Sequence, residues 1–228
     1  MTTSGIDAQE AIRGLYAIID TSFCPLDRAG RAAEELLAAG VRIIQLRAKG
    51  APSGEVLKAA RAVAGLARGR GALFIINDRV DIALISGAGG GGGGGGVHLG
   101  QGDIPVEEAR KLLGPKAVIG ASTHDAAEAA RAERAGADYL SFGPIFPTST
   151  KADAHSPRGI EALREVKRVA TRPIVAIGGI TPENAGEVLA AGAAAVAMIG
   201  ALFSSSDTGG LATSIVEKIG SGVSRTRD

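Results

Sequence analysis

Residues 173–200 read PIVAIGGITPENAGEVLAAGAAAVAMIG. The stretch opens on one short apolar run, PIVAIGG (173–179), and closes on another, AVAMIG (195–200). Between them Thr181 precedes Pro182, which places a capping hydroxyl just before a proline suited to the first helical position. Ala191-Gly192 then stops the helix, because glycine readily takes the left-handed conformation that turns the chain back toward a sheet. Strand, helix and strand in such short order make a crossover between parallel neighbours.

Outward from this unit the chain repeats it. Further apolar runs are GLYAIID (14–20), VRIIQLR (41–47), ALFIIN (72–77), VHLG (97–100), AVIGAS (117–122) and YLSFGP (139–144). Their apolar continuity suits parallel strands covered on both faces. Helical stretches fall between them, among them Asp27 to Ala39, Val106 to Leu113, Ala126 to Ala135 and Ile160 to Val169. In the last, Ile160, Leu163, Val166 and Val169 recur at helical spacing and mark an inward face. Asp125 is placed to cap its helix, and Ala39-Gly40 and Ala135-Gly136 repeat the Ala-Gly stop. Eight strand–helix repeats, counting a last helix near Leu211 to Ile219, predict an α/β protein built as a single (β/α)8 TIM barrel. A doubly wound open sheet is the alternative, because local patterns do not show ring closure.

The chain has 228 residues, the size of one barrel domain, and no linker divides it, so residues 1–228 are expected to form one catalytic domain. Residues 89–96 are all glycine. A homopolymer specifies no single conformation, so the run reads as a flexible insertion between the third helix and fourth strand rather than a phosphate loop. Doubling a loop costs only about 0.6 kcal/mol of closure entropy. Helix-to-strand loops also lie on the barrel face away from the chemistry. A flexible C-terminal tail is expected from about residue 221.

Composition narrows the function. A formal charge of +1, 3% aromatics and no tryptophan leave neither the field nor the stacking surfaces that nucleic-acid binding uses. Cys24 is the only cysteine, which removes intrachain disulfides and cysteine zinc sites and leaves it as core filler. The N-terminus lacks a basic region followed by an apolar run, and no apolar stretch approaches the ~20 residues of a membrane helix. The expected setting is the cytoplasm. The sequence specifies no oligomeric state.

In such barrels the chemistry sits at the C-terminal ends of the strands. Those positions hold Gln45, Arg47 and Lys49 after strand two, Asn77, Asp78 and Arg79 after strand three, and Gln101 and Asp103 after strand four. Ser122 and His124 follow strand five, and Thr148, Thr150 and Lys151 follow strand six. Gly178-Gly179 and Ile199-Gly200 end strands seven and eight. Taken singly, Arg47 and Lys49 read as solvated charges, Asp78 as a helix cap, and the glycines as relief of crowding. Together they make two anion sites. Asp78 and Asp103, with phosphate oxygens and water, suit a hard-oxygen Mg2+ site. Arg47, Lys49 and Lys151 suit a diphosphate, at about 1.5–3 kcal/mol per charge-assisted hydrogen bond. The late glycines admit backbone N–H groups to a second phosphate. The histidines form no metal cluster: His98 reads as packed or orienting, His124 as a possible substrate contact, and His155 as solvated. No GxSxG elbow occurs, so a serine nucleophile is not indicated.

At these residues the chain resembles the thiamine-phosphate synthase family, from about Leu15 to Phe203. The resemblance is carried by QLRAK (45–49), INDR (76–79), GVHLGQGD (96–103), GASTH (120–124), GPIFPTSTK (143–151) and AIGGI (176–180). It implies a Mg2+-dependent transferase acting on two phosphorylated heterocycles. By that resemblance Gln45, Leu46, Arg47, Ala48, Lys49 and Asn77 hold the pyrimidine diphosphate, Asp78 and Asp103 the metal, and Ser122 the aminopyrimidine. Lys151 holds the departing diphosphate; Thr148, Ser149, Thr150, Gly179, Ile199 and Gly200 hold the thiazole phosphate. Arg47, Lys49 and Lys151 are the implied catalytic cations.

Several positions depart from the family pattern. Ala48 and Gly102 stand where acidic residues are usual, Gly200 where serine is frequent, and the glycine run replaces a short connection. Rival readings are a thiazole tautomerase-like barrel, a sugar-phosphate isomerase or epimerase, and a non-catalytic phosphometabolite sensor. Retention of Asp78, Asp103 and Lys151 favours the synthase.

Overall fold

A computed structural model describes residues 8–89, 94–148 and 156–223. The apolar runs form strands β1 (Gly14–Asp20), β2 (Ile43–Arg47), β3 (Leu73–Asn77) and β4 (Gly95–Leu99), then β5 (Val118–Thr123), β6 (Tyr139–Phe142), β7 (Ile174–Ile177) and β8 (Ala195–Met198). All pair in parallel in chain order, and β8 returns to β1, where Gly14 lies against Ala195. The ring is closed, which removes the open-sheet alternative.

A short helix α1 (Ala8–Ala11) precedes β1, and a 3-10 turn (Leu26–Arg28) leads into α2 (Ala29–Ala38). The other crossovers are α3 (Ser53–Gly69), α4 (Val80–Ser86), α5 (Val106–Leu113), α6 (Ala126–Arg134), α7 (Gly159–Val169) and α8 (Ala185–Ala190). After β8 come α9 (Gly200–Phe203) and α10 (Thr208–Val223). The last helix runs through Val223, past the boundary near 221 expected for a tail.

Strand periodicity sorts side chains into two cores. Leu15, Ala17 and Ile19 of β1, Ile44 and Leu46 of β2, and Phe74 and Ile76 of β3 face the helices. Their alternates Tyr16, Ile18, Ile43, Leu73 and Ile75 fill the barrel, with Val118, Tyr139, Val175 and Ala195. Local signals start and stop the crossovers. The Asp125 carboxylate accepts the Glu128 N–H at 2.7 Å, a cap worth about 1 kcal/mol. Gly40, with φ +88°, ends α2, where the Gly40 and Val41 amides donate back to Leu37 and Leu36.

Two local expectations are refined. The Thr181 hydroxyl accepts the Glu183 N–H at 3.3 Å and its carbonyl accepts the Ala185 N–H at 3.0 Å, as expected of a cap before Pro182, but regular helix begins later. Residues 182–184 form a turn, in which the Thr181 N–H donates to Asn184 Oδ1, and α8 starts at Ala185. The glycine run is also not wholly a loop. Gly95 and Gly96 belong to β4, pairing with Phe74 and Ile75. A Cβ on Gly96 would lie 1.7 Å from the Val118 carbonyl oxygen, and one on Gly95 2.5 Å from two others. Backbone crowding therefore demands glycine at both positions. Residues 90–93 lie outside the described residues.

Candidate active site

Toward the C-terminal end of the ring, the inward positions change from apolar to polar. Gln45 and Arg47 on β2, Asn77 on β3, His98 on β4, Ser122 on β5 and Ser141 on β6 occupy the upper layers. Two chambers open there and share Gly100, Ser122, Ser141, Ile177, Ala197 and Ile199 as a common wall.

The first chamber, of about 610 Å³, holds the charges. Arg47, Lys49, Asn77, Asp78, Asp103 and Ser122 line it. Asp78 has φ +64°, a left-handed backbone that aspartate tolerates better than most residues. Its N–H donates to the His98 carbonyl at 2.8 Å, tying it to β4. The Asp103 carboxylate accepts the Gly100 N–H at 2.7 Å and lines the same chamber as Asp78. Burial and the Asp103 carboxyl push the Asp78 pKa above the usual carboxylate range, against the pull of Lys49. Lys49 Nζ lies 3.5 Å from Asp78 Oδ2. Two acidic side chains separated by the glycine run in sequence are thus brought together in space.

Arg47 is held from behind. One of its guanidinium nitrogens donates to Asp20 Oδ2 at 2.5 Å. Asp20, at the end of β1, is almost fully buried and also accepts the Ser22 N–H.

The second chamber, of about 580 Å³, is built differently. Thr148, Gly178, Gly179, Ile199, Gly200 and His124 are among its lining residues. Among the described residues, this lining carries no Lys, Arg, Asp or Glu. Polar contact here falls to hydroxyls, the Gln101 amide, the His124 imidazole and backbone groups. Gly178 and Gly179 have φ of +99° and +62°, and a Cβ on either would strike Pro144, Phe146 or Pro147. Those glycines seat the segment after β6, whose Ile145 and Phe146 amides donate to the Ile177 and Gly178 carbonyls. His124 lines the chamber but is engaged, with Nδ1 2.9 Å from Glu128 Oε2.

Residues 15–202 match the family model described as thiamine monophosphate synthase. The chain belongs to that family. It is 48% identical over 188 residues to the thiamine-phosphate synthase of Chlorobium luteolum, covering 82% of this chain and 84% of the relative. It is 47% identical over 186 residues to the thiamine biosynthesis bifunctional protein ThiM/ThiE of Symbiobacterium thermophilum, covering 82% of this chain but 38% of that longer protein. Among solved structures, thiamine phosphate pyrophosphorylase from Pyrococcus furiosus superposes with a TM-score of 0.82 at 35% identity, covering 93% of this chain and 98% of that one.

Of the residues singled out in the sequence, Gln45, Arg47, Lys49, Asn77, Asp78, Asp103 and Ser122 line the first chamber. Thr148, Gly179, Ile199 and Gly200 line the second. Ser149, Thr150, Lys151 and His155 lie outside the described residues. Leu46 faces the helices, so only its backbone can serve a ligand at the rim. Ala48 likewise packs against the outer core. Arg79 leaves the rim cluster for Asp81 and the Ser53 hydroxyl. Sequence reading missed Asp20, Tyr16 and Tyr139. Asp20 ends β1, where the strand-end rule itself points, whereas Tyr16 and Tyr139 sit within runs that read as core, and only the closed ring shows what their hydroxyls touch. Cys24 is buried, and burial pushes its thiol pKa up, as suits a packing residue.

Proposed function

We infer that this chain is a thiamine-phosphate synthase. It joins 4-amino-2-methyl-5-(diphosphooxymethyl)pyrimidine to 4-methyl-5-(2-phosphooxyethyl)thiazole, giving thiamine phosphate and diphosphate. One observation carries the assignment to the site: a charge-dense chamber meets, at Ser122, a chamber that has no Lys, Arg, Asp or Glu among its described lining residues. The diphosphate belongs in the first, and the thiazole with its single phosphate in the second.

Asp78 and Asp103 fit Mg2+. They offer hard oxygen donors; among the described residues no group of three or more His, Cys, Asp or Glu side chains could hold a metal, so phosphate oxygens and water would complete the shell. When bound there, Mg2+ supplies positive charge against the departing diphosphate. Arg47 and Lys49 add to that field, and Asp20 keeps the Arg47 guanidinium oriented. Lys151 is assigned to the same leaving group. Gln45 Nε2 is occupied by Tyr16, which leaves its Oε1 for the pyrimidine amino group. Leu46 and Ala48 contribute backbone groups. Thr148, Ser149, Thr150, Gly179, Ile199 and Gly200 hold the thiazole phosphate.

The reaction proposed is dissociative. The methylene–oxygen bond breaks first, and both its electrons leave with diphosphate. The aminopyrimidine delocalises the resulting methylene cation, which the thiazole nitrogen captures through its lone pair. Such a path needs no covalent nucleophile. Val175, Ile177, Ala197 and Ile199 give the chamber an apolar wall beside the cation. No helix among the described residues is long and apolar enough to cross a membrane, and we assign the enzyme to the cytoplasm. Purified protein incubated with both substrates and Mg2+ should yield thiamine phosphate and diphosphate by mass spectrometry, and none with EDTA. Absence of product at saturating Mg2+ would overturn the assignment.

A further inference from the structure

A line of hydrogen bonds, buried except at its Ser122 end, runs along the floor of the first chamber. Gln45 Nε2 lies 2.9 Å from Tyr16 Oη, and Tyr16 Oη 2.9 Å from Tyr139 Oη. Tyr139 Oη lies 3.0 Å from His98 Nδ1, and His98 Nε2 3.0 Å from Ser122 Oγ. Room for this line is made by Gly120, where a Cβ would lie 2.0 Å from Tyr139 Cζ. The His98 ring stacks on Tyr139 at a centroid distance of 5.5 Å.

With the Gln45 amide nitrogen facing Tyr16, counting protons along the line leaves one arrangement. The Gln45 amide nitrogen can only donate, so Tyr16 accepts there. The Tyr16 proton then has Tyr139 Oη as its acceptor. Tyr139 must in turn donate to His98 Nδ1, which makes His98 the neutral Nε2–H tautomer. That N–H donates to Ser122 Oγ, and the hydroxyl proton of Ser122 is directed away from His98, into the wall between the chambers. Any reversal leaves a buried phenol proton without an acceptor, at a cost of about 1–3 kcal/mol. Burial pushes the pKa of both phenols up, so each keeps its proton.

We propose that Tyr16, Tyr139 and His98 form a one-way hydrogen-bond relay that sets the Ser122 hydroxyl as a donor to a ring nitrogen of the aminopyrimidine. They are positioning residues, since they act through Ser122. The identity of the acceptor rests on the synthase reading; the polarity of the relay does not.

Two measurements test it. With 15N-labelled histidine in the ligand-free protein, NMR should show His98 with its proton on Nε2, the resonance being identified by its loss in His98→Gln. A proton on Nδ1, or on both nitrogens, overturns the relay whether or not the protein turns over. The second is a mutant cycle. Tyr139→Phe should raise KM for the pyrimidine diphosphate about fivefold, the worth of one neutral hydrogen bond. It should change kcat less than about twofold and leave KM for the thiazole phosphate unaltered. In a Ser122→Ala background the same substitution should add nothing. An equal effect in both backgrounds, or no effect with Ser122 present, refutes action through Ser122. If Tyr139→Phe does not fold, the tautomer measurement decides alone.

Discussion

Replacing Asp78 with asparagine separates what the fold prefers from what the reaction needs. Asparagine has the same shape and tolerates the left-handed backbone of φ +64° at this position, so the change removes little besides a charge. That charge is unfavourable in the metal-free protein. Burial, then the neighbouring Asp103 carboxyl, raise the Asp78 pKa, and Lys49 only partly opposes them. A raised folded-state pKa means stability that is present below the ordinary aspartate range, near pH 4, and lost as pH rises through the raised value. At neutral pH the ionised carboxylate therefore destabilises the metal-free fold. The Lys49 contact, at 3.5 Å with the lysine side chain 63% exposed, is worth no more than about 1 kcal/mol and does not reverse the sign. Relief of such strain commonly contributes about 0.5–2 kcal/mol, and each kcal/mol moves Tm by roughly 2–4 °C in a chain of this length. In EDTA, Asp78→Asn should melt a few degrees above the parent protein. Mg2+ with diphosphate should stabilise the parent and leave the variant nearly unmoved, and turnover should fall by about 100-fold or more. A scanning-fluorimetry series with a parallel product assay measures all three. A variant that melts lower than the parent in EDTA, or keeps the parent's response to Mg2+, would refute the reasoning.

Three other outcomes follow from contacts described above. Asp20→Asn removes the charge that holds Arg47 and should raise KM for the pyrimidine diphosphate about tenfold; an unchanged KM would separate Asp20 from the site. Gly96→Ala drives a Cβ to 1.7 Å from the Val118 carbonyl oxygen and should abolish the cooperative melt, whereas Gly102→Ala meets nothing within 4 Å and should stay within about 0.5 kcal/mol of the parent. Both tyrosines of the chain are buried with raised pKa values, so stability should fall above about pH 10 as the unfolded state ionises. Phenolate absorbance should then appear only with unfolding; its appearance in the folded protein would contradict the burial.

Local patterns along the chain specify the repeating unit. Apolar runs of strand length, helical spacing between them and Ala-Gly stops are local signals, and β1, written GLYAIID (14–20), matches its run residue for residue. The sequence also marked Arg47, Lys49, Asp78, Asp103 and Ser122, because a barrel gathers its chemistry at the C-terminal strand ends and these residue types fall there. Tertiary structure alone decided which side of each strand a residue serves. Leu46 and Gln45 are neighbours in the chain, yet one packs under helices and the other turns into the barrel. The same holds for Tyr16, Tyr139 and His98, whose hydroxyls and ring meet only because β1, β4 and β6 face one another across a closed ring. The glycine run shows the limit most plainly. As text it is uniform, but Gly95 and Gly96 are required by carbonyl oxygens contributed by β3, β5 and the end of the third crossover. A close approach between distant segments leaves no trace in local sequence beyond the absence of a side chain.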